Sequence, residues 1–573
     1  MSSEKRKDVN DHVCLKLKRI ERNELPESTH DSFDPFDIQK LQKSLTHKPW
    51  ILHNRAINSA ILDCEHVDHK VTAHLRSDEA CKLELDSAPV FRPTKEEFEN
   101  IVKYIAKIRQ VAERFGICSI VPPDSWQPNC RFKESKIWET FKFQTKVQQI
   151  SNLQISKFDK FKRANRDLTM ELDYRRDGFE CRNGPEFSLQ TFKEYADDFE
   201  ARYFEKHKFG TPVWENIENE YWRIVQNPTE NIQILAGNNL DSNVFGDGFS
   251  SLEDDRTECT KSGWKLDNAH KLPGSLHSFD SDGSAGLSTR VDIGMCFSSH
   301  CWKVEEHNLY SLNYLSIGAS RIWYGVPGKY NSKCEAAMNN LFRKHITQVS
   351  PSYLQSEGIP VYRCVQYPKQ FVLIFPGAYS SGFNSGFNVC TRVNLTPFDW
   401  LPYGNQSVEI YSELHRKTLI SYDKLLIEGC RDTVLKLKRD SEEWKVICGT
   451  DGWLSRALKS RVKHEHLRRE YFCNAAQSRI MDKHFCSLVK KECVVCYYDL
   501  YLSAASCSCC PERNTCLEHS KQLCLCPWSS RIFMFRYTMD ELNLLVNALE
   551  GKLNALFRWA QENRQLFVND RKK

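Results

Sequence analysis

The chain has 573 residues, of which 27% are charged and 40% hydrophobic, and its formal net charge is +5. This length exceeds what one ordinary hydrophobic core supports, so we expect two or more packed units. No apolar run of about eighteen residues predicts a membrane span, and the small net charge does not require a nucleic-acid partner, so direct DNA binding stays open.

Residues 1–87 are polar and irregular and are expected to form a flexible arm. The arm has no apolar core that would make it a secretory signal. Two basic clusters, Lys5–Lys7 and Lys16–Arg19, have the spacing of a bipartite nuclear import signal. A solvated basic tail explains the same residues equally well. The expected location is nuclear.

The segment 88–129 predicts a helix followed by a short strand. Thr94 and Glu97 form a capping box, in which each side chain satisfies a backbone N–H at the helix start. Apolar residues then recur at helical spacing from Phe98 to Phe115, and Gly116 ends the helix. The run ICSIV that follows predicts a strand.

Residues 130–256 form a connecting region. After it, the sequence first predicts short strands and then helices. Within 257–425, β-branched and aromatic runs alternate with Gly, Pro and Ser turns, which predicts a closed sandwich or jelly roll. Residues 426–490 read as helical. A strand, IFMFRY, precedes a second capping box at Thr538 and Glu541, which opens a last helix predicted through Leu556; residues 546–573 are assigned to the C-terminal helix and tail.

Cysteine usage gives the strongest signal. The chain has 24 cysteines, and they crowd between Cys493 and Cys526. Because a reducing compartment is expected, they read as metal ligands and not as disulfides. Four close pairs can hold two tetrahedral zinc ions: Cys493 and Cys496, Cys507 and Cys509, Cys516 and His519, and Cys524 and Cys526. Cys510 is left over, and sequential and interleaved pairing of the four pairs stay open. Closed sites of this kind are structural.

These blocks together resemble a known family. The segment 88–126 resembles a JmjN domain, and 257–425, with NLYSLNYL, IWYGVPGKY and SGFNSGFN, resembles a JmjC domain. The cluster at 493–545 resembles the C5HC2 zinc finger of JARID-type lysine demethylases. The domain order is most similar to the plant subgroup that acts on lysine-4 of histone H3. The resemblance implies an α+β fold: a JmjC double-stranded β-helix (jelly-roll) core, a JmjN helix–strand element, a helical linker domain and a two-zinc C5HC2 finger.

The resemblance fails at the iron ligands. The family holds Fe(II) with two histidines and one carboxylate, and 2-oxoglutarate chelates the same ion. The matching positions here are Lys303, Glu305 and Ser380. A charged lysine has no lone pair to donate, and at about 4 Å, with an effective dielectric near 20, it repels each unit of positive charge by about 4 kcal/mol. Serine is a weak neutral donor. We therefore expect Fe(II) and 2-oxoglutarate binding to be lost.

Part of the family's cofactor pocket is still recognisable. Arg321 stands where the family's lysine pairs with the 2-oxoglutarate carboxylate, whereas 290–292 and 236–239 have diverged. Four further positions still match the pocket: Ser311, Asn313, Trp323 and Asn384.

Two side chains near the altered triad have alternative roles. We hypothesise that the Lys303 ammonium occupies the space of the metal and pairs with Glu305; the alternative is that Lys303 extends to solvent. His300 is the one candidate to rescue a metal site. Its odd spacing from Lys303 would place the two side chains on opposite faces of a regular strand.

The leading interpretation is an inactive demethylase-fold protein that regulates chromatin or transcription. Its expected partners are chromatin, the histone H3 tail and other transcriptional regulators. The alternatives are an Fe(II)/2-oxoglutarate-dependent histone H3 lysine-4 demethylase with ligation through Glu305 and His300 or water, and a scaffold that binds neither histone nor cofactor.

Overall fold

The computed structural model describes residues 51–52, 84–126, 135–150, 182–204, 212–226, 231–242, 288–342, 348–436, 441–472, 477–482 and 491–552, with a few single positions elsewhere. Both basic clusters of the predicted arm lie outside the described residues. Among the helices described, none is both long enough and apolar enough to cross a bilayer.

Strands β1 to β9 are Ile51–Leu52, Asp86–Ser87, Val90–Phe91, Ile117–Ile120, Lys142–Gln149, Arg182–Ser188, Asn231–Asp241, Arg290–Gly294 and Ser299–Val304. Strands β10 to β18 are Tyr310–Gly318, Arg321–Val326, Tyr362–Gln366, Phe371–Ile374, Tyr379–Asn384, Asn388–Leu395, Gln477–Ile480, Ser503–Cys507 and Arg531–Phe535. Helices α1 to α11 are Ile101–Ala112, Ser135–Thr140, Leu189–Tyr203, Trp214–Gln226, Asn331–Phe342, Pro351–Ser356, Leu401–Glu413, Tyr422–Lys436, Glu442–Ile447, Trp453–Phe472 and Met539–Leu549.

The central unit is built from two sheets. The larger has the order β3-β4-β13-β10-β15-β8-β7-β5-β6, with β1 paired to β7, and the smaller has the order β2-β12-β11-β14-β9. Apart from short parallel pairs contributed by β2 and β3, neighbouring strands of both sheets run antiparallel. Side chains on the facing surfaces meet to form the interior. The mixed α+β class and the jelly-roll core predicted from the sequence are confirmed.

The 84–126 segment is woven into both sheets. Strand β4 pairs antiparallel with β13 of the larger sheet, and β2 pairs parallel with β12 of the smaller one. Helix α1 buries its apolar face in the core next to Phe371 and Leu373 of β13. Its Arg109 forms an ion pair of 2.5 Å with Asp399, just before α7. This segment therefore stabilises the jelly roll and is not a separate body.

The start of α1 differs from its prediction. The capping box of Thr94 and Glu97 is present, but it opens only a single turn of 3-10 helix at Glu97–Glu99. Asn100 is extended and caps α1 itself by accepting a hydrogen bond from the Lys103 amide at 3.0 Å. A second, better placed cap therefore overrides the first. The helix ends as predicted, with Gly116 in the left-handed region.

The strands predicted between 293 and 400 form, and the run IFMFRY gives β18. One other prediction was wrong. Residues 477–480, read as helical, form β16 beside β18. The helix that Thr538 caps ends at Leu549, just before Gly551 with its φ of 82°, and Leu556 lies outside the described residues.

The helices after the jelly roll join it to the cysteine-rich region. Helices α7, α8, α10 and α11 share one core with the larger sheet. Arg461 of α10 is buried and forms a bidentate pair with Asp423 of α8, at 2.6 and 2.8 Å. Farther along α10, Arg468 pairs with Glu518 at 3.2 Å. The cysteine-rich region thus contacts α10 through this ion pair and through Tyr501 and Leu502, which lie in the same core as the apolar residues of α10.

Candidate functional site

The strand register brings the altered triad positions together. Strand β9 pairs with β14 so that Lys303 lies opposite Ser380, and Ser380 in turn lies opposite Gly325 of β11. Directly opposite residues of an antiparallel ladder project their side chains to the same face. Lys303 and Ser380 therefore share the inner face of the smaller sheet, and Ser380 is buried there. Glu305 follows at the end of β9.

Lys303 and Glu305 form an ion pair. The Lys303 Nζ lies 3.2 Å from Glu305 Oε1, and the side chains are 34% and 8% exposed. Asn394 of β15, on the larger sheet, donates a hydrogen bond to the other carboxylate oxygen, Oε2, at 3.3 Å. The carboxylate is therefore held from both sheets. The hypothesised pairing of Lys303 with Glu305 is present, and its alternative, in which Lys303 extends away to solvent, is wrong.

Electrostatics favour the ionised form of Glu305. Burial acts to raise the pKa of this carboxyl, but the positive charges of Lys303 and Arg392 and the hydrogen bonds from Asn394 and Lys303 outweigh burial and lower the pKa. Glu305 is therefore a carboxylate at neutral pH. The ammonium is compensated without any metal.

This donor set does not fit a facial triad. Fe(II) in such sites takes two neutral imidazole nitrogens and one carboxylate oxygen, and it leaves open positions for ligands. Here one position is an ammonium that has no lone pair. Another is a hydroxyl, and the carboxylate already binds Lys303 and Asn394. Glu305 is the one triad position that carries a residue able to bind iron well.

His300 lies on the same face as Lys303, which corrects the prediction from regular pleating. In the β9–β14 ladder, Lys303 pairs with Ser380 and His300 pairs with Gly382. The two partners on β14 are two residues apart, whereas Lys303 and His300 are three residues apart on β9, so β9 contains one extra residue. The extra residue is a β-bulge, and it returns both side chains to one face. The His300 ring lies nearly parallel to that of Trp323, with centroids 6.1 Å apart.

His300 is a neutral imidazole. Burial lowers its pKa well below the ordinary value, and the positive charges of Arg321, Lys303 and Arg392 lower it further. A neutral ring keeps a lone pair that a metal could use. The three cations that suppress its protonation also oppose any additional cation beside it.

The recognisable pocket residues are joined by hydrogen bonds across the two sheets. Trp323 Nε1 donates to Gln366 Oε1 at 2.9 Å, and Gln366 Nε2 donates to the Asn313 carbonyl of β10 at 2.9 Å. Asn313 Nδ2 in turn contacts Ser311 Oγ at 3.2 Å. Arg321 is 1% exposed, and its guanidinium stacks over the Trp323 ring at 4.1 Å.

Arg321 stands apart from the acids among the described residues. Within the described ranges, no carboxylate lies within ion-pair distance of this guanidinium, and its buried Nε has no hydrogen-bond partner. Its cross-strand neighbour, Asn384, donates from Nδ2 to Ser298 Oγ at 2.7 Å, but the Asn384 Oδ1 is buried without a partner. The Arg321 guanidinium therefore keeps an unused buried donor in the pocket, whereas Lys303 and Ser380 stand at two of the three triad positions.

Sequence reasoning missed the contribution of β15. Asn394 holds the Glu305 carboxylate, and Arg392, two residues earlier, pairs with Asp292 of β8 at 3.3 Å. Both residues alternate with buried apolar ones in the run VCTRVNL. That alternation could have indicated a strand with polar side chains facing the pocket.

The eight predicted zinc ligands converge in two groups. One group is Cys493, Cys496, Cys516 and His519, and the other is Cys507, Cys509, Cys524 and Cys526. Within each group the ligand atoms all lie within 4.8 Å of one another. The first close pair thus joins the third, and the second joins the fourth, so the arrangement is interleaved and not sequential. Both donor sets fit tetrahedral zinc.

Local structure explains how the interleaving is achieved. The antiparallel pair β17 and β18 carries Cys507 at one end. The bridge between Ala505 and Thr515 brings the chain back beside β17, so Cys516 returns to Cys493 and Cys496. Cys510 belongs to neither group, although its sulfur lies 3.5 Å from that of Cys509.

Comparisons with known proteins match these regions one by one. Family models match the jmjN domain at residues 89–122, the JmjC domain (hydroxylase) at 290–395 and the C5HC2 zinc finger at 493–545. The chain therefore carries the three domains that the sequence predicts.

Similarity extends over most of the chain. Lysine-specific demethylase JMJ703 of Oryza sativa subsp. japonica is 46% identical over 544 residues, which cover 87% of this chain and 43% of that protein. "Probable inactive lysine-specific demethylase JMJ19" of Arabidopsis thaliana is 41% identical over 571 residues, which cover 92% of this chain and 79% of that protein. Lysine-specific demethylase JMJ17 of Arabidopsis thaliana is 31% identical over 387 residues, 63% of this chain and 31% of that protein.

The fold and these domains define a JmjC protein with a C5HC2 zinc finger. The chain belongs to the JmjC lysine-specific demethylase family, among plant relatives of which one is named as inactive. It spans less than half of the rice relative's length.

Proposed function

We propose that this chain is a catalytically inactive JmjC homologue that acts as a nuclear regulator of chromatin or transcription. The observation that carries the proposal is the ion pair of Lys303 with Glu305, directly beside Ser380, at the positions where the family binds iron. An ammonium there supplies positive charge but no coordination site. Without iron, 2-oxoglutarate has no metal to chelate, and Arg321 is the one group left to pair with its carboxylate.

The proposal includes binding to the histone H3 tail and to other regulators. The family membership and the intact jelly roll support a histone-facing role, because the scaffold around the altered residues is retained. Nuclear import through the clusters at Lys5–Lys7 and Lys16–Arg19 is part of the same proposal. So are two structural zinc ions, which the two cysteine groups support.

One experiment on iron chemistry tests the central claim. Purified full-length chain is assayed for bound iron and for formaldehyde release from trimethylated histone H3 lysine-4 peptide with 2-oxoglutarate. The wild type is expected to hold little iron and to release no formaldehyde. The variant with Lys303→His and Ser380→His restores two imidazoles, so iron content should rise toward one per chain. Robust turnover by the wild type would contradict inactivity.

The same assay separates a second candidate, an active enzyme that uses Glu305 and His300. The observation that favours it is the bulge in β9, which places His300 on the face of Lys303. If this candidate holds, His300→Ala abolishes both iron binding and turnover of the wild type. A pulldown with histone H3 peptide distinguishes a histone-binding protein from a scaffold that binds neither histone nor cofactor.

A further inference from the structure

Arg531 lies at the centre of the cysteine-rich region and is 2% exposed. In the ladder of β17 and β18 it is directly opposite Cys507, which belongs to the all-cysteine group. Its Nη1 donates to Cys524 Sγ at 2.7 Å, and its Nη2 donates to the Cys524 carbonyl at 2.5 Å. A guanidinium therefore contacts one ligand of this group from two directions.

The third guanidinium nitrogen of Arg531, Nε, contacts the backbone next to the other group. Its Nε donates to the Ser520 carbonyl at 3.0 Å, and Ser520 follows His519 directly. His519 is a ligand of the first group. One buried side chain thus connects the two interleaved groups.

Charge explains why a guanidinium is needed at one group and not at the other. Four thiolates around Zn²⁺ leave a net charge of −2, whereas three thiolates and a neutral imidazole leave −1. The all-cysteine group is also the more open one, since Cys509 is exposed and Cys524 and Cys526 are half-buried. The buried Arg531 guanidinium lies against the group with the larger negative charge and offsets part of it.

We propose that Arg531 is a positioning residue that stabilises zinc in the all-cysteine group by holding the Cys524 thiolate in place and neutralising part of the site's charge. This inference rests on the zinc binding included in the proposed function. Partners outside the ligand shell fix the orientation and charge of ligands, and losing one typically weakens metal affinity by about 10- to 100-fold.

The test measures zinc release from the full-length chain to a chromophoric chelator under reducing conditions. In Arg531→Met, one of the two ions should leave about 10- to 100-fold faster than in the wild type, and the other should leave at the wild-type rate. X-ray absorption of the ion that remains should show three sulfurs and one nitrogen. That result assigns the lost ion to the all-cysteine group.

A matched control is available on the same segment. Arg536 follows β18, donates from Nε to the Tyr501 carbonyl at 2.9 Å and stacks on the Tyr501 ring, and within the described residues it makes no hydrogen bond to any of the eight ligands. Arg536→Met should release both ions at wild-type rates. Arg531→Lys keeps the charge but loses the planar fork, so its fast phase should lie between those of the wild type and Arg531→Met.

Two results would overturn the inference. One is release from Arg531→Met that matches Arg536→Met. The other is equal acceleration of both ions, which a merely structural role predicts. If Arg531→Met does not fold, Arg531→Lys decides by the same criteria. Absence of zinc from the wild type would instead contradict the proposed function, so the two failures are distinguishable.

Discussion

The cysteine-rich region and the altered iron pocket differ in what has been kept. The finger has all eight family ligands, and each group of four converges within 4.8 Å. The pocket has strands paired in a definite register, but only one of its three triad positions carries a good iron ligand, and this residue is paired with Lys303. Strand register depends on backbone hydrogen bonds and on the alternation of buried side chains. A scaffold can therefore persist after its donor chemistry has changed.

Zinc at the finger and iron at the triad positions would contribute differently to the stability of the fold. A structural zinc site contributes folding energy directly, because its ligands come from loops that little else holds together. The triad positions lie on or at the end of strands that are paired along their length. Replacing an iron ligand there requires only that charge be compensated, and Glu305 and Lys303 compensate each other.

The largest expected effect comes from removing zinc. Stripping the full-length chain with a zinc chelator under reducing conditions should unfold the ligand-bearing segment between Cys493 and Cys526, whereas α11, which packs in the jelly-roll core, should stay folded, since structural zinc contributes about 10–16 kcal/mol of apparent binding free energy in finger peptides. Hydrogen exchange measured by mass spectrometry should show loss of protection there. An iron-selective chelator is the control and should change nothing. Intact protection after complete zinc removal would erase the contrast between the two regions.

Sequence patterns predicted the finger better than the pocket. Residue type and close spacing alone predicted the eight residues that converge into two groups able to hold a metal ion, because crowded cysteines outside disulfides have few other uses. Spacing did not determine which pairs combine. The pairing depends on the bridge of Ala505 with Thr515, a contact between residues that no local pattern links.

For the pocket, local patterns were misleading in two places. A regular period of two predicted that His300 and Lys303 face opposite ways, and the bulge in β9 reverses this. A bulge is one unpaired residue, and it leaves no mark in the alternation of a short run. Asn394 comes from the opposite sheet, so its contact with Glu305 was not predictable from either strand alone.

A smaller effect is expected when the ion pair is broken. Lys303→Met leaves the buried Glu305 carboxylate with Asn394 and a more distant Arg392. Removing one partner of a fully buried pair costs about 3–5 kcal/mol, and because Lys303 is a third exposed we expect about 1–2 kcal/mol. Hydrogen exchange of β9 and β14 should accelerate correspondingly.

The control and a double variant sharpen this prediction. Lys193→Met breaks an exposed pair with Asp197, whose side chains are 43% and 50% exposed, and should change stability by less than about 0.5 kcal/mol. Adding Glu305→Gln to Lys303→Met removes the uncompensated charge and should recover much of the loss. Equal destabilisation by the single and double variants would show that the two residues are not coupled, and the compensation argument would fail.

The smallest effect is a pH dependence. Burial acts to raise the pKa of Glu305, but the positive charges of Lys303 and Arg392 outweigh it, so the pKa is lowered in the folded state. Its contribution to stability is therefore fully present above the unfolded pKa of about 4.3 and is lost as pH falls through the lower folded value.

The difference in β9 and β14 exchange between wild type and the Lys303→Met/Glu305→Gln variant should be constant from about pH 7 to pH 5, after correction for intrinsic exchange. The lowered pKa of His300 makes both proteins lose stability below the ordinary histidine pKa, and because its largest cause is burial, which the variant keeps, this contribution largely cancels in the difference. A difference that shrinks between pH 7 and pH 5 would mean that burial dominates and that Glu305 is protonated. The pocket would then hold an unpaired ammonium, and the stability of this region would no longer be explained by the exchange of a metal for a lysine.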